Sequence, residues 1–246
     1  MKNIHLFTNS KKIIPILSKF YKVKKVFTEK SVLKKKQNVQ VIKSLNKISS
    51  DQFNGIDLAI SYGFGIIFKK NFIKKYSDGI WNIHPGDLPR YRGRHPITWA
   101  FLNNEKKIGV SIHKIDQKID RGFLLSKKFV TRTLKDDEKT INKKILKILP
   151  SAIRLAIKNY NNRKFVKIKK GKYYKALYKG VSIKNPKQTN FLYVYNAIKA
   201  QKFYGGVKIG NFKFKDVIFF KKKKKLSVKY KIIECKNNKT IIGVLA

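Results

Sequence analysis

Apolar and polar positions follow two rhythms along this chain. Short runs that are apolar throughout or alternate with period two lie at 3–8 (NIHLFT), 23–27 (VKKVF), 39–43 (VQVIK), 57–61 (DLAIS), 79–84 (GIWNIH), 108–115 (IGVSIHKI) and 123–130 (FLLSKKFV), and each predicts a strand. Helical spacing falls between them. It is seen in KKIIPILSKFYK behind the caps Asn9 and Ser10, with Pro15 limiting where that helix begins, and again over about 66–76. It returns at 95–104, opened by a proline as helices prefer, and over 138–160, where Pro150 interrupts the period. Strand and helix in alternation predict an α/β fold, an open and mostly parallel Rossmann-like sheet. Residues 161–188 are irregular and basic, with Tyr173, Tyr174 and Tyr178 interspersed, and read as a linker laid along the surface. A helix at 189–201 and β-like runs at 207–209, 212–220, 226–234 and 240–245 then predict a small C-terminal β-rich module. The expected organisation is a main domain over 1–160, a linker over 161–188 and the module over 189–246.

Composition changes this picture little. A chain of 246 residues with 42% apolar content can bury a sizeable core. Its formal charge of +46, from 59 Lys and Arg against 13 Asp and Glu, would ordinarily point to a polyanionic partner. Lysine is spread through every segment, however, alongside the Ile, Asn, Phe and Tyr that an AT-rich genome over-uses, so the charge is weak evidence for nucleic acid. The run Lys221 to Lys225 between two β-like segments reads as a solvated hairpin tip. One cysteine, Cys235, excludes an internal disulfide framework and reads as a small buried side chain in a reducing compartment. The start of the chain lacks the apolar stretch of a signal peptide, and no window reaches the ~20 apolar residues of a membrane span. A cytoplasmic protein with no membrane partner is expected.

Candidate chemistry sits at the strand ends. In open α/β sheets the ligand crevice lies beyond the carboxyl ends of the strands, where Tyr62-Gly63 and Asn82-Ile83-His84 fall. Asn82 and His84 are two residues apart, which is the strand period, so both point to one side. The loop that follows, PGDLPRYRGR, has too many prolines and glycines for regular structure. Further on, the connection DQKIDRG carries Asp116 and Asp120, and Asp120 can approach His84 from the end of a neighbouring strand. An amide, an imidazole and a carboxylate suit acyl transfer to an amine. The first two stabilise a developing oxyanion, and the carboxylate and histidine move the protons that leave the attacking ammonium and reach the leaving nitrogen. No serine or cysteine is placed as a covalent nucleophile, so transfer is direct, and no metal is required.

The string NIHPGDLPRYRG followed by GVSIHKIDQKIDRG closely resembles the folate-dependent formyltransferase family, well over about 57–125 and loosely on the flanks. The resemblance implies the formyltransferase fold, 10-formyltetrahydrofolate as donor, and Asn82, His84 and Asp120 as the catalytic trio. It places the donor against the strand end at Tyr62 and Gly63, the loop from Asp116 through Ile119 to Gly122, and Leu88 and Pro89. Arg90, Tyr91, Arg92, Gly93 and His95 then shape the mouth that receives the acceptor. Gly86-Asp87-Leu88-Pro89 departs from the Ser-Leu-Leu-Pro common in the family. Members formylate methionyl-tRNA, glycinamide ribonucleotide or nucleotide-linked amino sugars. The short β-rich tail and the stretch from Gly93 to Ile97 are more similar to the amino-sugar branch, which makes a nucleotide-linked amino sugar the expected acceptor and methionyl-tRNA the runner-up. The tail or the linker offers a contact for a homodimer.

Other residues carry less. His113 on strand 108–115 reads as packing rather than chemistry, His5 as a bystander, and Trp81 and Trp99 as core residues. Arg90, Arg92 and Arg94 can grip phosphate in a bidentate fashion or simply face solvent.

Overall fold

The computed structural model describes residues 1–33, 38–177, 180–218 and 228–246. The chain divides into two compact units, one of residues 1–92, 109–128 and 145–172, the other of residues 93–108, 129–144 and 173–246. The Lys221–Lys225 run, Tyr178 and the facing ends of the strands expected at 212–220 and 226–234 lie outside the described residues.

In the first unit β1 (Asn3–Thr8), β2 (Lys22–Thr28), β3 (Val39–Val41), β4 (Leu58–Tyr62) and β5 (Gly79–His84) run parallel in the order β3-β2-β1-β4-β5. β1, β4 and β5 are buried on both faces as central parallel strands require, whereas β2 is buried only over residues 26–28 and the edge strand β3 only partly. Chain order continues through α1 (Ile14–Leu17), α2 (Lys70–Ile73), the two-residue β6 (Arg92–Gly93) and α3 (Pro96–Leu102). Next come β7 (Lys107–Lys114), antiparallel to β5, then β8 (Phe123–Thr131), α4 (Glu138–Asn161) and β9 (Val166–Lys167), which completes the sheet as β7-β8-β9 beyond β5. This is the expected open, mostly parallel α/β sheet.

The helices differ from the periodicity. The stretch from Lys11 makes only a 3-10 turn and the four residues of α1, although Ile13, Leu17 and Tyr21 are all buried at a spacing of four, because the chain must enter β2 at Lys22. Around α2, Phe68, Phe72 and Tyr76 keep a helical spacing of four, yet only the central turn is α-helical. The opposite holds for α4, which runs unbroken through Pro150. Ile141, Ile145, Leu149, Ala152, Ile153 and Ala156 are all buried, and this apolar stripe stays in phase across the proline. Its burial outweighs the ~3 kcal/mol that an interior proline costs.

Phe7, wholly buried on β1, stacks on Phe27 at 4.9 Å and meets Phe68 edge-on at 5.0 Å and Phe72 at 5.8 Å. Phe7→Ala leaves a cavity that these three rings cannot collapse around, and we expect it to lower unfolding free energy by about 3–5 kcal/mol in urea titration. His5 packs in this cluster: buried between Phe27, Phe53 and Tyr76, it shares a 2.8 Å hydrogen bond with the Tyr76 hydroxyl. Trp81 is buried and packs edge-on against Tyr160 of α4 at 4.9 Å.

In the second unit, the segment expected to be irregular contributes β10 (Tyr173–Tyr174), paired with β6, and β11 (Ser182–Ile183). After α5 (Phe191–Gln201) come β12 (Val207–Ile209), β13 (Phe212–Ile218), β14 (Tyr230–Glu234) and β15 (Thr240–Leu245), in a second sheet ordered β11-β12-β13-β15-β14. The core holds Val194, Ile198, Val207, Phe214, Ile233 and the expected buried Cys235, with Trp99 against its edge. Among the described residues two buried cations, Arg132 and Lys199, lie in this unit. Arg132 donates to the Glu105 carbonyl at 2.7 Å and to the Asn196 and Asn104 side-chain oxygens, each at 2.8 Å.

Candidate active site

Strands β1, β4 and β5 are parallel neighbours, so Thr8, Tyr62 and His84 end them at one edge of the sheet, and the strand order reverses between β1 and β4, where such folds bind ligands. The Thr8 hydroxyl donates to the Tyr62 carbonyl at 2.7 Å and ties the first two ends together. Just beyond, the Glu29 carboxylate accepts from the Gly65 amide at 2.6 Å and from the Asn9 amide group at 2.7 Å, which fixes the turn after Gly63. Gly63 has φ 59, and nothing stands within 4 Å of where a Cβ would be, so open space borders this strand end.

On β5, Asn82 pairs with His113 of the antiparallel β7 and His84 with Ser111, putting four polar side chains on one face of two apolar strands. The hydrogen bonds fix which nitrogen carries each proton. His84 Nε2 lies 2.7 Å from the Tyr91 carbonyl, an oxygen that only accepts, so Nε2 holds the hydrogen. The other nitrogen, Nδ1, faces Asp120 Oδ1 at 3.6 Å. His113 Nδ1 donates to the Arg121 carbonyl at 3.0 Å, leaving a lone pair on Nε2 that accepts from Asn82 Nδ2 at 3.3 Å. That nitrogen is also 3.8 Å from Asp120 Oδ1. His113 thus sets the rotation of the Asn82 amide.

Burial keeps His113 neutral. Complete desolvation pulls it down to about 4, against the opposing pull of the Asp120 carboxylate. His5 is lowered to about 4 for the same first reason, with Lys25 adding to it. Both folded values lie below the ordinary 6.5, so the unfolded chain binds more protons between about pH 4 and 6.5 and stability falls as pH falls through that window. At pH 5 we expect a loss of about 2 kcal/mol per histidine relative to pH 7, read from urea midpoints across pH.

The loop after β5 is anchored by Ser111, whose hydroxyl donates to the Gly86 carbonyl at 2.7 Å and accepts from the Leu88 amide at 3.1 Å. Asp87 meets Lys127 at 2.6 Å and Arg90 at 3.4 Å, which ties the departure from the Ser-Leu-Leu-Pro pattern to an ion pair on β8. Leu88 and Tyr91 bury their side chains, and Pro89 is half-buried with Gly171 against it. Arg92 donates to the carbonyls of Gly171 at 3.2 Å and Ile119 at 2.9 Å, joining this loop to the one that carries Asp120. In that second loop Asp116 accepts from the Lys118 amide at 2.8 Å, and Ile119 stays 41% exposed. Asp120 is 9% exposed and has φ 50, a left-handed conformation costly for a residue with a Cβ. Gly122 follows with φ 99, where a Cβ would collide with the Lys114 carbonyl. Only glycine lets this loop turn so close to the end of β7.

Asn82, His84 and Asp120 therefore come together in the first unit, linked through His113. Tyr62, Gly63, Leu88, Pro89, Arg90, Tyr91, Arg92, Asp116, Ile119 and Gly122 belong to that unit as well. Gly93 and His95 belong to the second. There a Cβ on Gly93 would strike the Tyr174 backbone, and His95 precedes α3 with φ 56, accepting from the Leu177 amide at 3.0 Å rather than capping the helix. Sequence reasoning passed over Ser111 and His113 as contributors, although both share the period of Asn82 and His84. Among the described residues, no group of three or more His, Cys, Asp or Glu is placed to hold a metal ion, and no helix is long and apolar enough to cross a membrane.

The formyl transferase family model matches residues 1–157, the stretch that holds this sheet and the amide, imidazole and carboxylate brought together on it. The chain belongs to the formyl transferase family. It is 33% identical over 139 residues to a methionyl-tRNA formyltransferase of Prochlorococcus marinus subsp. pastoris, covering 56% of this chain and 40% of that protein. The chain thus spans less than half of that curated relative. Among solved structures, WlaRD, described as a sugar 3N-formyl transferase in the presence of dTDP and 5-N-formyl-THF, superposes with a TM-score of 0.72 at 23% identity, over 100% of this chain and 97% of its own. The N-formyltransferase of Helicobacter canadensis, in complex with folinic acid and dTDP-3-aminofucose, gives 0.71 at 18% identity over 100% of both chains.

Proposed function

We propose that this chain transfers the formyl group of 10-formyltetrahydrofolate directly to a primary amine, and that the amine belongs to a nucleotide-linked amino sugar. The observation that carries the reading is the proton arrangement at the trio: His84 Nε2–H is committed to the Tyr91 carbonyl, and Nδ1 is turned to Asp120. The second hydrogen of the Asn82 amide, whose rotation His113 sets, stabilises the charge that develops on the formyl oxygen, and His84 adds to it once Nδ1 has taken up a proton. Asp120 takes the proton released by the attacking amine, and His84 Nδ1 lies within reach to share it on the way to the leaving nitrogen.

The site fits the donor. Open space beside Gly63 and the exposed Ile119 in the Asp116–Gly122 loop provide backbone and apolar surface for a flat heterocycle. Bound there, the folate supplies an activated one-carbon unit. Two neighbours crystallised with a folate derivative share the fold along almost their whole length, and one of them also held an amino sugar linked to dTDP. That supports the acceptor class.

Methionyl-tRNA is the second reading, favoured by the relative that bears that activity in its name and by the charge of +46. Incubating the purified chain and 10-formyltetrahydrofolate with a dTDP-linked amino sugar and, separately, with methionyl-tRNA separates the two. We expect formylation of the sugar and none of the tRNA; the reverse outcome makes tRNA the acceptor.

A further inference from the structure

The second sheet carries a groove of about 610 Å³ with no role in the chemistry above. One wall is the hairpin of β12 and β13, in which Lys208 stands directly opposite Lys213. Val207, Ile209 and Phe214 are buried on the core face, so the two lysines project outward together. On the adjacent strand Ser182 pairs with Lys208 and is exposed too, making a row of a hydroxyl and two ammonium groups across three strands. Like charges directly opposite one another destabilise a sheet unless an anion sits between them, and among the described residues neither lysine takes part in an ion pair.

The opposite wall is the turn Tyr204-Gly205-Gly206. Gly206 has φ 79, and a Cβ there would strike the Phe214 carbonyl, so the turn lies flat against β13. Gly205 has φ 87, and the Lys213 ammonium comes within 3.5 Å of where its Cβ would stand. Tyr204 is 59% exposed, yet its hydroxyl donates to the buried Glu138 carboxylate at 3.1 Å, which holds the ring in place. A fixed, exposed aromatic ring beside a pair of cations is a stacking platform next to an anion site. Lysine is abundant all along this chain, so charge alone says little. The opposed pair and the anchored ring, meeting in one concavity, say more.

We propose that this groove binds a nucleoside phosphate, with the phosphates between Lys208 and Lys213 and the base against Tyr204. The same chemistry comes from a free nucleotide or from a nucleic-acid strand. The proposal uses none of the residues assigned to the trio and stands or falls apart from formyl transfer.

The test is hydrogen–deuterium exchange of the whole chain at low salt, read on peptides spanning 202–214, with uridine diphosphate, inorganic pyrophosphate and octauridylate as probes. Uridine diphosphate should protect that segment at concentrations roughly tenfold below those pyrophosphate needs, the difference being the stacked base. Lys208→Gln with Lys213→Gln should abolish protection, Tyr204→Leu should reduce it to the pyrophosphate level, and Lys11→Gln with Lys12→Gln should leave it unchanged. Stronger protection by octauridylate assigns the groove to a strand, and stronger protection by uridine diphosphate to a free nucleotide. No protection by any probe, equal protection by pyrophosphate, or equal loss in the Lys11 and Lys12 control overturns the proposal.

Discussion

Asp120→Asn is expected to lower the rate of formyl transfer by about three orders of magnitude with little change in KM for the acceptor. The substitution keeps volume and leaves the loop, its left-handed backbone at φ 50 and the glycine that follows undisturbed, since asparagine tolerates that region as well as aspartate does. What it removes is the proton acceptor. An amide oxygen 3.6 Å from His84 Nδ1 can accept a hydrogen bond but cannot hold a proton, and the attacking amine must shed one in the transition state. A loss confined to KM in steady-state kinetics would mean that Asp120 binds the acceptor and moves no proton.

Asn82→Ala ranks second, at about 10²–10³ in kcat, the usual effect of deleting one oxyanion donor. The side chain is only partly buried and lies on β5 opposite a buried histidine, so removal opens space beside His113 without touching the core beneath. Stability should fall by about 1–3 kcal/mol, because the buried Nε2 of His113 loses its donor. A variant that stays folded under assay conditions in urea titration while losing the rate separates a role in chemistry from one in packing. Unchanged kcat would take Asn82 out of the mechanism.

Much of the scaffold was readable from period alone. The five parallel strands and the two that follow lie where alternation put them, and the side shared by Asn82 and His84 follows from a spacing of two. The helices were less legible, because local rules and burial pull differently. Pro150 breaks a helix in isolation, but the buried stripe from Ile141 to Ala156 carries α4 through it. The twelve residues from Lys11 look amphipathic, and Ile13, Leu17 and Tyr21 are buried at that spacing, yet the chain has to turn into β2 at Lys22 and keeps only one α-helical turn.

In the site, the sequence could place polar side chains at strand ends but could not say which carbonyls would meet them. Arg92 looked free to grip phosphate; Gly171, far along the chain, and Ile119 supply the oxygens it donates to. His113 read as packing, and it is fully buried, but its two ring nitrogens bridge the Arg121 carbonyl and the Asn82 amide. That relation depends on the antiparallel register of β5 and β7, which no local pattern encodes.

The central claim is direct formyl transfer by Asn82, His84 and Asp120. The most direct measurement follows tetrahydrofolate release and acceptor mass together, with purified chain, 10-formyltetrahydrofolate and a dTDP-linked amino sugar, for the parent and for the Asn82→Ala, Asp120→Asn double variant. The account predicts one formyl group gained by the acceptor for each tetrahydrofolate released by the parent, and no release above background by the double variant. Transfer at the parental rate by the double variant would contradict it.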